Sequence, residues 1–196
     1  MNIMAKKPQS PSLGQIRIIG GKWRGRKLPV RDSEGLRPTT DRIKETLFNW
    51  LMPIIRDARC LDCFAGSGSL GFEALSRFAE TVTFIELDKQ NAQLLTENKT
   101  RLQADNATVV NHNSLNFLSQ AGTPFDVVFI DPPFRKGLLN ETIQLLEKNQ
   151  WLAEESWIYV ESEAESPLTD IPTNWQLHRE KIAGQVAYRL FIRTSL

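Results

Sequence analysis

Residues 61–75, LDCFAGSGSLGFEAL, contain the most informative signal for the fold. This stretch begins as an apolar strand that ends at Cys63, continues as a glycine-rich loop and then opens a helix. Gly66, Gly68 and Gly71 satisfy the pattern G-x-G-x-x-G, in which glycines permit a tight turn and let the backbone approach a ligand closely. Alone, this pattern fits a dinucleotide-binding dehydrogenase, another nucleotide-binding protein, or a strand-to-helix turn that binds nothing.

Outside this stretch, short apolar runs alternate with segments of helical periodicity. Strands are predicted at residues 59–63, 81–86, 107–111, 125–131 and 157–161, and helices at 70–78, 89–102, 115–120 and 138–148. This order is typical of an α/β fold in which helices cover both faces of a mainly parallel sheet. The last two strands, 175–182 and 186–192, have no helix between them and predict an antiparallel hairpin that closes one edge.

The N-terminal part of the chain is organised differently. Residues 1–13 are rich in Pro, Ser, Gln and Lys, which predicts a disordered tail. Residues 14–36 contain two short apolar runs around Gly20-Gly21 and are interpreted as an N-terminal hairpin. Residues 37–196 are interpreted as the main domain.

Composition and charge narrow the class of protein. The 196 residues are 41% hydrophobic and 24% charged, as in a soluble globular domain. No apolar run approaches the roughly 20 residues that span a bilayer, and no signal peptide is recognisable, so a cytoplasmic protein without a membrane partner is expected. The net charge of +1 is uneven, because residues 1–44 carry +8 and residues 45–196 carry −7. A basic N-terminal part predicts a polyanionic partner.

A cluster of basic side chains in the predicted hairpin supports an RNA-binding role. The cluster contains four basic residues and one aromatic residue: Lys22, Trp23, Arg24, Arg26 and Lys27. The basic members can neutralise phosphates, whereas Trp23 either stacks on a base or packs against its own domain. A second basic pair, Arg135 and Lys136, is the alternative RNA-binding surface.

The two cysteines, Cys60 and Cys63, have the C-x-x-C spacing that can indicate a metal or redox site. Both fall on one predicted strand, where a separation of three residues points the thiols to opposite faces. The chain has no second cysteine pair and no nearby histidine to complete a metal site, so no metal is predicted.

Polar side chains follow the next two predicted strands. Glu86 ends the strand after the glycine loop, where a carboxylate can accept both hydroxyls of a cofactor ribose. Asn113 and Ser114 follow the third strand, where they can either meet an adenine ring or cap the next helix.

The segment FDVVFIDPPF, residues 125–134, carries the most specific chemistry. Asp131 ends an apolar strand, and in an open parallel sheet ligands bind beyond the carboxyl ends of the strands, where the strand order reverses. Asp131 and the carbonyl of Pro132 can accept the two N–H bonds of a base amino group and direct its lone pair. Pro132 and Pro133 restrict φ to near −65°, and Phe134 offers a face on which a base can stack.

These segments together resemble the class I S-adenosylmethionine-dependent methyltransferases. More closely, the chain is similar to the ribosomal RNA small subunit methyltransferase D family, whose members methylate N2 of a guanine in 16S rRNA. The resemblance starts near Gly14 and rests on GGKWRGRKL, RPTTDRIKETLFNWL, LDCFAGSGSLGFEALSRFA, FIELD, FDVVFIDPPF and GQVAYRLF. It implies a Rossmann-like, seven-stranded, mainly parallel sheet with an antiparallel last strand, plus an N-terminal β-hairpin that binds RNA.

The resemblance also implies roles for individual residues. The resemblance implies that S-adenosylmethionine is bound by nine residues: Asp62, Phe64, Gly66, Gly68, Glu86, Asn113, Ser114, Arg37 and Thr39. Asp131, Pro132, Pro133 and Phe134 are expected to hold the guanine. The expected partner is 16S rRNA, within the small ribosomal subunit or an assembly intermediate, and the expected oligomeric state is a monomer.

The chain departs from the family pattern at two positions. Asn113 stands where the family usually has Asp, although an amide oxygen still accepts a hydrogen bond, and Cys63 replaces the usual Leu.

Other enzymatic interpretations of the sequence are a DNA adenine-N6 or a protein-glutamine methyltransferase. Different classes are an NAD-dependent oxidoreductase, for which the chain lacks plausible proton donors, and a non-catalytic RNA-binding module.

Overall fold

The computed structural model describes residues 13–31, 40–134 and 136–196. Three predicted site residues, Arg37, Thr39 and Arg135, lie outside these ranges, as does most of the predicted tail. The tail was predicted to end at residue 13, but Leu13 is the first residue of a strand.

Nine strands and five α-helices make up the described part of the chain. The strands are β1 (Leu13–Arg17), β2 (Lys27–Arg31), β3 (Arg59–Asp62), β4 (Thr81–Glu86), β5 (Ala107–Asn111), β6 (Phe125–Ile130), β7 (Leu152–Glu163), β8 (Trp175–Ala183) and β9 (Val186–Thr194). The helices are α1 (Asp41–Trp50), α2 (Ser69–Ser76), α3 (Lys89–Leu102), α4 (Ser114–Leu118) and α5 (Leu139–Lys148). None of these helices has the length and apolar character needed to cross a membrane.

Most of the predicted elements are confirmed. The bounds of β4, α3 and β5 agree with the prediction to the residue. Strand β7 is much longer than the predicted 157–161, because it pairs with β9 from Glu155 to Glu163. That partner strand lies far along the chain, so local periodicity does not reveal how far β7 extends.

The main sheet has seven strands in the order β5-β4-β3-β6-β7-β9-β8. Strands β3, β4, β5, β6 and β7 pair in parallel, whereas β9 lies antiparallel between β7 and β8. This confirms the mainly parallel sheet with a reversed last strand. The chain proceeds outward from β3 through β4 and β5 and then returns to β6 on the other side of β3. The crevice between β3 and β6 is therefore the switch point at which ligands bind in such sheets.

Buried side chains form one hydrophobic cluster on each face of this sheet. Cys60 belongs to the first cluster with Phe84, and Cys63 to the second with Ile85, because alternate residues of a strand point to opposite faces. Both thiols are free and buried, and burial raises the pKa of each above its usual value. No group of residues suited to a metal ion occurs in the described ranges. The cysteines are therefore protonated core residues.

The N-terminal hairpin pairs β1 with β2 in antiparallel register. As predicted, its two strands lie on either side of Gly20-Gly21, and they are joined through residues 18–26 with a short 3-10 turn at Gly21–Trp23. Both glycines also pack against the C-terminal end of α2. Gly21 has φ of +79°, and a Cβ there would lie 1.9 Å from the carbonyl oxygen of Ser76. A side chain would thus clash with the helix that supports the hairpin.

Glu73 of α2 binds the segment that connects β1 with β2. Its side chain is fully buried, and its two carboxylate oxygens accept the N–H groups of Ile19 at 3.0 Å and Gly20 at 2.9 Å. The ammonium of Lys44, also buried, lies 3.6 Å from Glu73, and Nε of Arg77 donates at 3.0 Å. Lys44 additionally donates to the carbonyl of Arg17 in β1. A single carboxylate therefore ties the hairpin, α1 and α2 together.

Replacing Glu73 by Ala is expected to lower the free energy of unfolding by about 3–5 kcal/mol, because Lys44 is left buried without its counter-charge. Residues 18–26 should also exchange their amide hydrogens faster. Chemical denaturation and hydrogen exchange measure the two effects. Glu97→Ala, at an exposed position of α3, is the control, and equal stability of the two variants would contradict this account.

Candidate active site

The glycine loop lies between β3 and α2, as predicted. Gly66 and Gly68 both have positive φ, and Gly68 is the N-cap of α2 in the left-handed conformation. Gly71 lies inside the helix, where a Cβ would come within 2.2 Å of the Phe84 ring. The first two glycines therefore shape the loop, and the third lets α2 pack closely on the sheet.

The carboxylate of Glu86 is held against this loop. Its Oε2 atom accepts the N–H of Gly66 at 2.6 Å, and its Oε1 atom accepts the N–H of Asp88 at 3.0 Å. Each carboxylate oxygen has a further lone pair with which to accept a ligand hydroxyl. The structure thus brings Glu86 and Gly66 together.

Asp62 lies beneath the loop at the end of β3. Its carboxyl is 2% exposed and accepts hydrogen bonds from the backbone of Gly71 and Phe64. Burial raises the pKa of Asp62 to about 7, the Glu86 carboxylate adds to the increase, and the two backbone hydrogen bonds oppose it. The buried Asp62 carboxyl therefore links Phe64, at the start of the loop, to Gly71 in α2.

Asn113 and Ser114 have structural partners. Asn113 is the N-cap of α4, and its side-chain oxygen accepts the N–H of Asn116 at 3.0 Å. The buried Ser114 hydroxyl donates to the carbonyl of Cys63, next to Phe64. Of the two interpretations of Asn113 left open by the sequence, the helix cap is observed, and contact with an adenine ring stays a prediction.

The tetrapeptide Asp131–Phe134 follows β6 directly beside the glycine loop. Its position results from the pairing of β3 with β6. The ladder between these strands extends to Cys63, whose N–H donates to the carbonyl of Phe129 at 3.1 Å. Pro132 is buried, whereas Pro133 is exposed and the Phe134 side chain is 42% exposed. An exposed aromatic ring beside a half-buried acid is suited to holding a planar polar ligand.

Sequence reasoning missed one acidic residue of this site, Glu161 of β7. Its side chain is buried and hydrogen-bonds with that of Asp131. Tyr159 donates its hydroxyl to Oε2 of Glu161 at 3.2 Å. The only local signal is an acid at the end of an apolar strand, which is common on protein surfaces, so the sequence alone did not distinguish Glu161.

The predicted basic cluster lies on the surface of the hairpin. Lys22, Arg24, Arg26 and Lys27 are exposed. Trp23 is half-buried and packs against the first hydrophobic cluster, with Nζ of Lys22 4.5 Å from its ring centroid. Trp23 therefore anchors the hairpin to its own domain. Lys136 is also exposed, close to Phe134 in the chain.

A cavity of about 410 Å³ lies between the hairpin and the start of α1. Its lining includes Arg17, Lys27 and Ser69. Arg17 also pairs with Asp41 at 2.9 Å, and the buried Ser69 hydroxyl has no hydrogen-bond partner among the described residues. The cavity therefore places the basic side chains of Arg17 and Lys27 near the start of α2, together with the acidic Asp41 and the apolar Ile16.

Comparison with known proteins identifies the family. Residues 16–192 match the family described as Conserved hypothetical protein 95. The chain is 66% identical to ribosomal RNA small subunit methyltransferase D of Escherichia coli K12, over 97% of this chain and 96% of the relative. The chain belongs to the ribosomal RNA small subunit methyltransferase D family. Its relative of the same name in Haemophilus influenzae is 56% identical, over 95% of this chain and 98% of the relative.

Solved structures agree with this assignment to the methyltransferase D family. The Escherichia coli protein yhhF superposes with a TM-score of 0.88 at 65% identity, covering 92% of this chain and 99% of that one. HI0767 of Haemophilus influenzae gives a TM-score of 0.82 at 52% identity, with coverage of 93% and 100%. The site described above is therefore that of a methyltransferase.

The raised pKa of Asp62 predicts a pH-dependent stability. A protonated, buried carboxyl contributes stability that is fully present below the unfolded pKa of about 3.9 and is lost as the pH rises through about 7. At about 1.4 kcal/mol per unit of pKa shift, the loss amounts to a few kcal/mol. Asp62→Asn mimics the protonated carboxyl and should remove this loss.

Urea unfolding of the ligand-free protein between about pH 5 and pH 8 measures this effect, since stability follows the difference in bound protons. The wild type should lose more stability over this range than Asp62→Asn. Asp105→Asn, at an exposed position, should behave like the wild type. Parallel curves for the wild type and Asp62→Asn would contradict the assignment.

Proposed function

We propose that this member of the methyltransferase D family transfers a methyl group from S-adenosylmethionine to the exocyclic N2 of a guanine in 16S rRNA. One observation carries the proposal: Asp131-Pro132-Pro133-Phe134 follows β6 beside the glycine loop of β3. The relatives named ribosomal RNA small subunit methyltransferase D support the RNA substrate.

The residues around the glycine loop fit S-adenosylmethionine. The loop has the positive φ values that allow a ligand to approach its backbone, and the Glu86 carboxylate beside it suits a ribose. Asp62, Phe64, Gly66 and Gly68 would hold the methionine part, and Asn113 and Ser114 the adenine end. Arg37 and Thr39, outside the described residues, complete the proposed set. When bound, this cofactor supplies an electrophilic methyl group.

The tetrapeptide would orient the guanine. An exocyclic amino group is planar because its lone pair is delocalised into the ring, so the two N–H bonds must be fixed for the lone pair to be directed at a methyl carbon. Asp131 and the carbonyl of Pro132 accept those two bonds, and the exposed ring of Phe134 stacks on the base. Most of the acceleration then comes from orientation, for which effective molarities of roughly 10⁵–10⁸ M are known.

RNA would be held by the hairpin, residues 14–36, while residues 37–196 form the catalytic domain. The exposed cluster of Lys22, Arg24, Arg26 and Lys27 supports this role, and Lys136 extends it towards Phe134. Because Glu73 fixes the hairpin connection to α2, and α2 begins at the glycine loop, phosphate contacts on the hairpin would also set the position of the guanine.

Identification of the product tests the proposal. The protein is incubated with isotopically labelled S-adenosylmethionine and either unmodified small ribosomal subunits or naked 16S rRNA, and the modified nucleoside is mapped by mass spectrometry. The expected product is N2-methylguanosine at one position. DNA and a glutamine-containing protein serve as alternative substrates in parallel incubations. Label found only in DNA adenine or in protein glutamine, or no label with any of the four substrates, would overturn the proposal.

Replacing Arg24, Arg26 and Lys27 together by Gln should weaken RNA binding and flatten its salt dependence. Each phosphate contact to a single strand contributes a slope of about −0.7 in log K against log salt, so three lost contacts change the slope by roughly two units. Affinity for S-adenosylmethionine should be unchanged. The measurement is RNA affinity over a salt series.

A matched control replaces three basic residues of α5 and β8, Lys148, Arg179 and Lys181, by Gln. These variants carry the same change in net charge but lie away from the hairpin. If both triple variants show the wild-type slope, RNA binds elsewhere.

A further inference from the structure

We infer that Glu161 is a positioning residue for methyl transfer, which shares one proton with Asp131 and thereby orients Asp131 towards the amino group. This inference rests on the function proposed above. It concerns a residue that the glycine-loop and tetrapeptide motifs do not contain.

Sheet register brings the two carboxyl groups together. Strands β6 and β7 are parallel neighbours, and Ile130 pairs with Val160. Asp131 and Glu161 are the next residues on each strand, so they stand side by side at the same edge of the sheet. The hydrogen bond between their side chains raises the pKa of Asp131 and lowers that of Glu161, so Asp131 is the donor.

A hydrogen bond between two carboxyl groups requires a proton, because an ionised carboxylate can only accept. Glu161 is 9% exposed, and in the described ranges neither carboxyl forms an ion pair with a basic side chain. The surroundings add negative charge or weak acids instead, since Asp62 and the hydroxyls of Tyr159 and Tyr188 face the pair. Burial, reinforced for Asp131 by the Glu161 carboxylate, raises the pKa of both acids above the usual range. One proton on the pair is therefore the favoured state.

The Tyr159 hydroxyl stabilises the negative charge on Glu161. It donates to Oε2 of Glu161 at 3.2 Å, from two residues earlier on the same strand and hence from the same face. The shared proton lies on Asp131, which also donates to Glu161, because the hydrogen bonds from Tyr159 and Asp131 both lower the pKa of Glu161. Glu161 therefore holds one oxygen of Asp131 in place, and the second oxygen of Asp131 stays free to accept from the amino group.

This arrangement matches the needs of the proposed reaction. The N2 lone pair forms a bond to the methyl carbon, and the electron pair of the broken carbon–sulfur bond stays on sulfur. The N2 proton would then pass to the free oxygen of Asp131 as the shared proton passes to Glu161, so charge and atoms balance. With both acids ionised, repulsion would turn Asp131 away, and with both protonated, neither could take up the N2 proton.

Two substitutions separate positioning from a purely structural role. Glu161→Gln has an oxygen that can accept from Tyr159 and an amide N–H that can donate to an ionised Asp131, so the pair keeps its hydrogen bond and a single negative charge and cannot lose a shared proton. Glu161→Ala removes the hydrogen-bond partner of Asp131. Glu154→Ala, at an exposed position of the same strand, is the control.

The experiment measures single-turnover methylation of small-subunit RNA from mildly acidic to alkaline pH, together with the Kd of S-adenosylmethionine and the KM for RNA. Glu161→Ala should slow the step by roughly 10- to 100-fold, the scale of a misplaced catalytic group, with both binding constants unchanged. Glu161→Gln should retain most of the neutral-pH rate. The wild-type rate should fall on the alkaline side, as the shared proton is lost, and that of Glu161→Gln should stay level there.

An alanine variant as fast as the wild type would overturn the inference. So would a glutamine variant that is as slow as the alanine variant, or one that shows the same alkaline fall as the wild type. The last comparison holds even if Glu161→Ala does not fold. Failure of the wild type to form N2-methylguanosine would instead refute the proposed function itself.

Discussion

The parallel pairing of β3 with β6 is the interaction on which the site depends. Residues Cys60, Leu61 and Asp62 pair with Val127, Val128 and Phe129, and the N–H of Cys63 continues the ladder to Phe129. Both strands therefore end at the same level. The loop that follows β3 and the tetrapeptide that follows β6 are far apart in sequence, and this register places them on either side of one crevice.

The carboxyl groups inside this fold lie in two different electrostatic environments. Glu73 is surrounded by two backbone N–H groups, Lys44 and Arg77, so its charge is compensated and it joins elements together. Asp62, Asp131 and Glu161 lie near the carboxyl ends of adjacent strands. Asp62 and Glu161 are buried and Asp131 is half-buried, and the loss of contact with water raises the pKa of each. Uncompensated acids of this kind are costly to stability and are typical of functional sites. The first carboxylate supports the structure, and the other three support the proposed chemistry.

How far the sequence predicts the structure depends on the range of the interactions involved. The elements β4, α3 and β5 follow from local hydrophobic periodicity, and the glycine loop, Glu86 and Asp131 follow from motifs at strand ends. The two strands of the N-terminal hairpin also follow from the local pattern. The packing of Gly20 and Gly21 against Glu73 and Ser76, on a helix more than fifty residues away, does not. Glu161 became visible only when the register of β6 and β7 was known.

Asp131 is proposed to orient the amino group without contributing to the binding of the cofactor. The most direct test is the single-turnover methylation rate of Asp131→Ala, measured with calorimetric affinity for S-adenosylmethionine on the same folded protein. The account predicts a rate lower by about 100-fold or more, by analogy with the loss of one preorganised polar contact, and an affinity close to that of the wild type. A rate near wild type would contradict it.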